Sequence, residues 1–516
     1  MTDQVEELDE FEQYIQNRGV QQPYPDNIAL HPYGLVCYDR GVRLRNGRHI
    51  FGVDKGLGKT ILALLIARHF DAYPLIVLTT GRGLKTYQKE MAKWLPEDAQ
   101  KVQLVYAPKS AVGDKGRAIR AQQWGNPEAK VFVIPAATLL SDSARRKGKH
   151  VNTTDAVPEW VWKSPGWVFD EFHRYMRHKD SATYKLIKEK LAYSPRPKVK
   201  IFLSGSAITV GPQDIWPALN ILDPRTWSSY WKYVNMFCLI DDSGYGKTIL
   251  GPKNIPQWQA AVAPWFTSVK KHQVAKHLKE KVRLPLEYEL EPWQRKLYEG
   301  LREDSVAELP DGDFIVRSNE LAALHAARMA LVCPRALNPQ LGVGAAIEAV
   351  ADEFAENDIT KYVIYTPYRA PCDHFASYLT HQRNLPTWIL RGGVNPIEQE
   401  EIINAWKESP TGVIVCTIKF AESFELAPYA SYCAFIGYEW DKDENEQAED
   451  RLHRLTSEDT CFAYYCQCQD TFDIDLWEYI MAKGWNVTRL LTYPKHIKTL
   501  LTKGAKAMVM ESVGEG

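Results

Sequence analysis

Apolar positions along the chain fall into two alternating series with a helical stretch between them. In the first, the continuous runs His49-Ile50-Phe51-Gly52-Val53, Leu75-Ile76-Val77-Leu78, Val131-Phe132-Val133-Ile134, Trp167-Val168-Phe169 and Ile201-Phe202-Leu203 alternate with segments of helical period, such as Lys59 to Phe70 and Leu84 to Trp94. Continuous apolar strands separated by helices predict a parallel sheet covered on both faces. A helical section from about Glu291 to Glu353 interrupts the pattern. It resumes with Tyr362-Val363-Ile364-Tyr365, Thr387-Trp388-Ile389-Leu390, Val413-Ile414-Val415-Cys416 and Ala434-Phe435-Ile436, alternating with the helices Cys372 to Thr380 and Glu398 to Trp406.

Two such series predict an α/β chain of two lobes, each a mainly parallel sheet flanked by helices, with a helical insertion and a cleft between them. The expected divisions are a polar, Pro-punctuated and loosely attached extension over 1–29, a first lobe over 30–280, a linking strand and helical segment over 281–355, a second lobe over 356–485 and a tail over 486–516. Ligands of such sheets sit at the carboxyl ends of the strands.

Composition changes this picture little. The 516 residues, 45% hydrophobic and 25% charged, suit globular domains, and no run of 18 apolar residues appears, so the expectation is a soluble, cytoplasmic protein with no membrane partner. The nine cysteines lack paired metal-ligand spacing and read as reduced structural thiols. With 63 basic and 64 acidic residues, any nucleic-acid surface has to be local.

The candidate chemistry begins at Gly56-Leu57-Gly58-Lys59-Thr60, which follows a strand and opens a helix. Glycines there let the backbone approach phosphates, Lys59 would bridge the β and γ groups, and Thr60 would place its hydroxyl on Mg2+. The strict pattern wants glycine at Val53; Gly52 stands one place early. A second match, Gly244-Tyr245-Gly246-Lys247-Thr248, meets Gly251 and Pro252 within four residues, so it reads as a hairpin or surface loop instead. Asp170 and Glu171 follow the strand Trp167-Val168-Phe169. Asp170 would hold Mg2+ and Glu171 would accept a proton from the attacking water, with His173 and Arg174 coupling the nucleotide to the cleft.

These residues resemble the Swi/Snf-type branch of helicase superfamily two over about Leu30 to Trp477. Leu30-His31-Pro32-Tyr33 looks like the family's segment ahead of the phosphate loop, Leu75 to Trp94 like motif Ia, and Val131 to Leu140 like the next DNA-contacting motif. Leu203-Ser204-Gly205-Ser206-Ala207 resembles motif III, and Asp214 to Pro224 a helix diagnostic of the branch. Gln294-Arg295-Lys296-Leu297-Tyr298 looks like the element leading into the second lobe, and Tyr365-Thr366-Pro367-Tyr368-Arg369 like motif IV. Trp440, followed by Gln447-Ala448-Glu449-Asp450-Arg451-Leu452-His453-Arg454, resembles motif VI.

The resemblance implies two RecA-like lobes and an ATP-dependent DNA helicase or translocase that moves on or remodels duplex or branched DNA in replication, recombination or repair. Gln447 would contribute to nucleotide binding, and Arg451 and Arg454, three apart on one helix face, would reach the γ-phosphate. DNA would be held through phosphates without sequence preference by Arg82, Lys85 and Thr138 in the first lobe and Arg369, Thr417 and Lys419 in the second. The basic runs Arg145 to His150 and Lys270-Lys271-His272, with Lys276 and Lys279, would add a positive rim. Single-strand-binding or recombination proteins are further expected partners, in a bacterial or phage-infected cell.

Departures are equally specific. Gly34 occupies the place of an adenine-reading glutamine, for which Gln21 or Gln22 would substitute. Motif V glycines fall on Phe420, Ala421 and Ser423, beside Glu422. Leu455-Thr456-Ser457 replaces the usual continuation of motif VI. Two alternatives stay open: a superfamily-two RNA helicase, and a nucleotide-gated DNA-binding scaffold with little turnover. Of the sixteen tryptophans, Trp167, Trp216, Trp265 and Trp477 read as core.

Overall fold

A computed structural model describes residues 10–22, 30–108, 110–111, 113–143, 157–194, 197–208, 211–242, 247–274, 278–309, 312–317, 319–392, 396–423, 426–440, 442–454, 457 and 459–481. The chain divides into two units, Met1–Val274 and Ala275–Glu515. No helix among the described residues is long and apolar enough to cross a membrane.

Unit one contains β1 (Arg48–Val53), β2 (Leu75–Thr79), β3 (Val102–Leu104), β4 (Val131–Pro135), β5 (Gly166–Asp170), β6 (Val199–Leu203), the hairpin strands β7 (Cys238–Asp242) and β8 (Lys247–Pro252), and β9 (Phe266–Val269). Seven of them form one sheet in the order β3-β4-β2-β5-β6-β1-β9. Every pairing in it is parallel. All five residues of β2, β4, β5 and β6 are buried, which explains their unbroken apolar runs: helices cover both faces. Gly52 lies inside β1, where a Cβ would meet the Phe266 ring at 2.7 Å. That glycine is therefore fixed by packing against β9, not by phosphate.

Unit two contains β10 (Val282–Tyr288), β11 (Val306–Glu308), β12 (Phe314–Val316), β13 (Lys361–Thr366), β14 (Thr387–Leu390), β15 (Gly412–Thr417), β16 (Tyr432–Phe435) and β17 (Phe462–Cys468). Its six-stranded sheet, β10-β17-β16-β13-β15-β14, is again parallel throughout, and β11 with β12 makes a separate antiparallel hairpin. Each unit has its own apolar core, one around Trp167, Phe169 and Phe202, the other around Tyr362, Tyr365, Trp406 and Phe435.

Two expectations need correction. The extension over 1–29 is not loose throughout: Glu10–Arg18 is a helix with Phe11 buried, and Tyr14 Oη donates to Asp39 Oδ2 at 3.0 Å. The segment 281–355 is no separate link, because β10 pairs along its whole length with β17 and the helices Pro292–Glu303 and Ala345–Glu356 share the core of unit two. The strands β3 and β9 went unread, the first for its brevity and the second because Phe266-Thr267-Ser268-Val269 mixes polar with apolar residues. The tail 486–516 and the run Arg145 to His150 lie outside the described residues. All nine cysteines are buried and free, and Trp167, Trp216 and Trp265 are buried as expected.

Candidate functional site

At the carboxyl end of β1 the chain turns through Gly56 (φ 83°) and Gly58 (φ 76°), both left-handed, and enters the helix Lys59–His69. Those angles require glycine because any Cβ would crowd the backbone. The helix carries no side-chain cap at Gly58, so its first amide groups face the loop. Its residues Ile61 to Ala67 are all buried, anchoring it in the core. Leu57 is buried as well, and Thr60 is half-buried one residue into the helix. Lys59 is buried, and its Nζ donates to Val53 O at 2.9 Å. Loop and lysine thus hold a defined shape by themselves.

Asp170 ends β5, and Thr79 Oγ1, at the end of β2, donates to its Oδ2 at 3.4 Å. Tyr175 Oη donates to the carbonyls of Leu78 and Asp170, at 2.9 and 3.0 Å, tying the ends of β2 and β5 together. Glu171 adopts φ 52°, a conformation that costs a non-glycine residue on the order of 1 kcal/mol or more. Its Oε2 is buried without a hydrogen-bond donor. Burial, and then the charge of Glu171, pushes the Asp170 carboxyl up. Glu171 feels the same burial, but the surrounding cations, Lys59 foremost, outweigh it and hold that carboxyl low.

His173 links this pair to the next motif. Its Nδ1 lies 2.7 Å from Ser204 Oγ in a hydrogen bond, and Ser204 Oγ also accepts from Ser206 N at 3.0 Å. Burial lowers the His173 pKa to about 3 against the pull of Glu171, so the ring is neutral, and its 3.4 Å approach to Glu171 Oε2 is not an ion pair. The donor set, a hydroxyl on Thr60 and a buried carboxylate on Asp170, is hard oxygen throughout and fits Mg2+.

The second phosphate-loop match proves to be a strand. Lys247 and Thr248 lie in β8, paired antiparallel with Asp242 and Asp241, so no helix follows them; Gly244, Tyr245 and Gly246 lie outside the described residues.

In unit two, the helix Lys442–Glu449 presents Gln447 buried. Arg451 and Arg454 do not share a helix face, contrary to expectation: the helix stops at Glu449, and both arginines lie in the turns beyond it. The helix ends there because Arg451 N and Leu452 N donate three residues back, to Ala448 O and Glu449 O, while Arg451 O is taken by Leu426 N and Ala427 N. Glu449 fixes that end. Its buried carboxylate accepts from Arg283 Nε, Arg283 Nη2, Lys281 Nζ and Tyr465 Oη, each at 2.7 Å. Burial alone would raise its pKa, but Lys281 and Arg283 hold it at about 2. Sequence reading passed over this cluster. Its signal was the pair Lys281 and Arg283, two apart at the start of β10, facing Glu446 and Glu449 at helix period.

The expected DNA contacts are distributed as follows. Lys85 is exposed at the start of the helix Leu84–Trp94, Thr138 is half-buried on the helix Ala136–Ser143, and Arg82 lies in the turn Gly81–Gly83. In unit two, Arg369 opens the helix Arg369–Gln382, Thr417 ends β15 and is buried, and Lys419 is exposed. Lys419 Nζ lies 3.5 Å from Glu439 and 3.9 Å from Glu444. Lys270 pairs with Asp54 of the phosphate loop at 3.0 Å, so it braces that loop; Lys276 lies outside the described residues. Gln22 is occupied too, its amide accepting from Leu30 N and donating to Leu30 O at 2.9 and 3.1 Å.

Comparison with known proteins adds an independent line. The family described as helicase conserved C-terminal domain matches residues 345–456. The DNA annealing helicase and endonuclease ZRANB3 of Mus musculus is 21% identical over 447 residues, covering 85% of this chain and 39% of that protein. The probable ATP-dependent DNA helicase CHR12 of Arabidopsis thaliana is 24% identical over 296 residues, 55% of this chain and 25% of its own. A solved SWI2/SNF2 ATPase core of Sulfolobus solfataricus in complex with dsDNA aligns over 94% of this chain and 95% of that chain, at 17% identity and a TM-score of 0.40. The chain therefore spans well under half the length of the curated relatives it matches. Two parallel sheets, a matched helicase C-terminal domain and relatives aligned over most of the chain make this protein similar to DNA helicases of the Swi/Snf type.

Proposed function

We propose that this chain is an ATP-dependent DNA translocase that remodels duplex or branched DNA during replication, recombination or repair. The observation that carries the reading is the meeting, at the carboxyl ends of one parallel sheet, of an uncapped glycine loop with Lys59 and the carboxylates of Asp170 and Glu171. On nucleotide binding, Lys59 exchanges the Val53 carbonyl for phosphate oxygens, and the loop amides hold the remaining charge. Thr60 and Asp170 would hold Mg2+, which neutralises phosphate charge when bound. Glu171, kept ionised by Lys59 and its neighbours, accepts the proton of the attacking water. Arg451 and Arg454 supply permanently charged planar donors to the charge that spreads in the transition state, and Gln447 adds a nucleotide contact.

DNA is held by its phosphates, through Arg82, Lys85 and Thr138 in unit one and Arg369, Thr417 and Lys419 in unit two. Lys419 gives up Glu439 and Glu444 to do so. The nine buried free thiols support a reducing compartment such as the cytoplasm as the place of action.

ATP hydrolysis measured against duplex, single-stranded, forked and four-way DNA, and against RNA, tests this reading. Duplex or branched DNA is expected to stimulate turnover, and Glu171→Gln to lower the stimulated rate by about a hundredfold or more, the scale of a lost general base. A wild type that no DNA stimulates would refute the translocase, and preferential stimulation by RNA would reassign it.

A further inference from the structure

Five exposed large apolar side chains fall within one stretch of unit one: Trp231 (40% exposed), Met236 (57%), Leu239 (50%), Leu250 and Ile255. They lie on the helix Tyr230–Phe237, the β7–β8 hairpin and the first turn of the helix Ile255–Val262. The hairpin is firmly backed. Its register partners Ile240 and Ile249 pack against the core, while Leu239 and Leu250, at the register shift beside them, are exposed. Trp231 is braced in the same manner, with Tyr230 edge-on to it at 5.3 Å and Tyr230 in turn edge-on to the buried Trp216 at 5.2 Å.

Cations flank the rings. Lys247 Nζ, from β8, stands 5.5 Å from the Trp231 ring centre, and Lys179 Nζ stands 5.6 Å from that of Tyr230. Lysine, tyrosine, tryptophan and lysine thus form one contiguous strip beside an outward aliphatic hairpin. None of these groups belongs to the phosphate loop, to Asp170 and Glu171, or to the expected duplex contacts.

Exposed apolar clusters on a rigid backing mark interaction surfaces. The chemistry here selects unpaired nucleic acid. An indole face offers a stacking platform to any base, and the adjacent ammonium groups, Lys179 giving up its 2.6 Å pairing with Asp180, meet the phosphates on either side of it. A paired duplex presents no free base face to such a strip. We infer that the paired strands β7 and β8, with Tyr230, Trp231, Lys179 and Lys247, are a contact for single-stranded DNA at a fork or branch, and that they give the protein a preference for such structures. The inference rests on the DNA reading above and adds to it the class of DNA recognised.

Fluorescence anisotropy of the full chain with fluorescein-labelled single-stranded, forked and blunt duplex oligonucleotides tests it. Trp231→Ala and Lys247→Ala are each expected to weaken single-strand and fork binding about tenfold, the scale of one lost stacking contact, and Trp231→Phe to retain most of it. Blunt-duplex affinity and duplex-stimulated hydrolysis should stay within about twofold of wild type. Thermal unfolding confirms that the variants are folded; should Trp231→Ala unfold, the exposed Lys247→Ala decides. Unchanged single-strand and fork affinity overturns the inference and leaves a protein partner as the occupant of this face; an equal loss on blunt duplex also overturns it. If no DNA stimulates hydrolysis in the wild type, the motor reading fails while the affinity contrast still decides this one.

Discussion

His49, one residue into β1, is wholly buried with Nε2 in a 2.7 Å hydrogen bond to Thr267 Oγ1. Burial, and then the charge of Arg40, lowers its pKa to about 3. Between about 3 and the ordinary value of 6.5 the unfolded chain binds a proton that the folded chain refuses, so the stability His49 contributes is complete above 6.5 and is lost as pH falls. Urea denaturation at pH 7 and pH 5 should therefore show a smaller loss for His49→Gln than for wild type; equal losses would mean that His49 titrates normally. Such residue-level facts were only partly legible. The glycine spacing announced the phosphate loop because left-handed turns need glycine, whereas the backbone angle of Glu171 leaves no mark on composition. Gln22 shows the limit in the other direction: its amide is chemically able to read a base, but Leu30 already holds it.

At the scale of elements, the cluster around Glu449 joins a helix end to two strands. Glu449→Gln would leave Lys281 to Asp450 and Arg283 to Glu446, each at 3.1 Å, with a neutral amide where the buried carboxylate stood and their charges largely out of water. Removal of one partner of such a pair costs about 3 kcal/mol or more, and urea denaturation should register a loss of that order in unit two. A change under about 0.5 kcal/mol would show the cluster to be as well solvated as a surface pair. The helix bearing Gln447 stops at Glu449, short of the expected Arg451 and Arg454, because the stop involves backbone bonds made by Leu426 and Ala427, distant in sequence. The second phosphate-loop match shows the opposite case, since Gly251 and Pro252 locally forbid a helix and the strand β8 results.

For the molecule as a whole, the two units carry separate cores. Trp406 is fully buried in unit two, with its Nε1 donating to Gly412 O at 3.0 Å. Trp406→Ala is expected to cost about 3–5 kcal/mol. Hydrogen exchange followed by mass spectrometry should then speed up in β13 and β15 but not in β2, β5 and β6; uniform acceleration would show that the units unfold as one. The alternation of strands and helices disclosed both parallel sheets in advance, because a strand buried on both faces has to be apolar at every position. Strand order and the membership of β10 were not disclosed. Arg283 and Glu287 break the apolar run of β10, and its place is set by pairing with β17, some 180 residues away.

Lys59 is engaged before any nucleotide arrives. With its ammonium already resting on Val53 O, the phosphate loop contains an internal rival for any anion that reaches it. Polyphosphate affinity is then an exchange constant, the difference between two acceptors for one lysine, and it is set as much by the end of β1 as by the nucleotide.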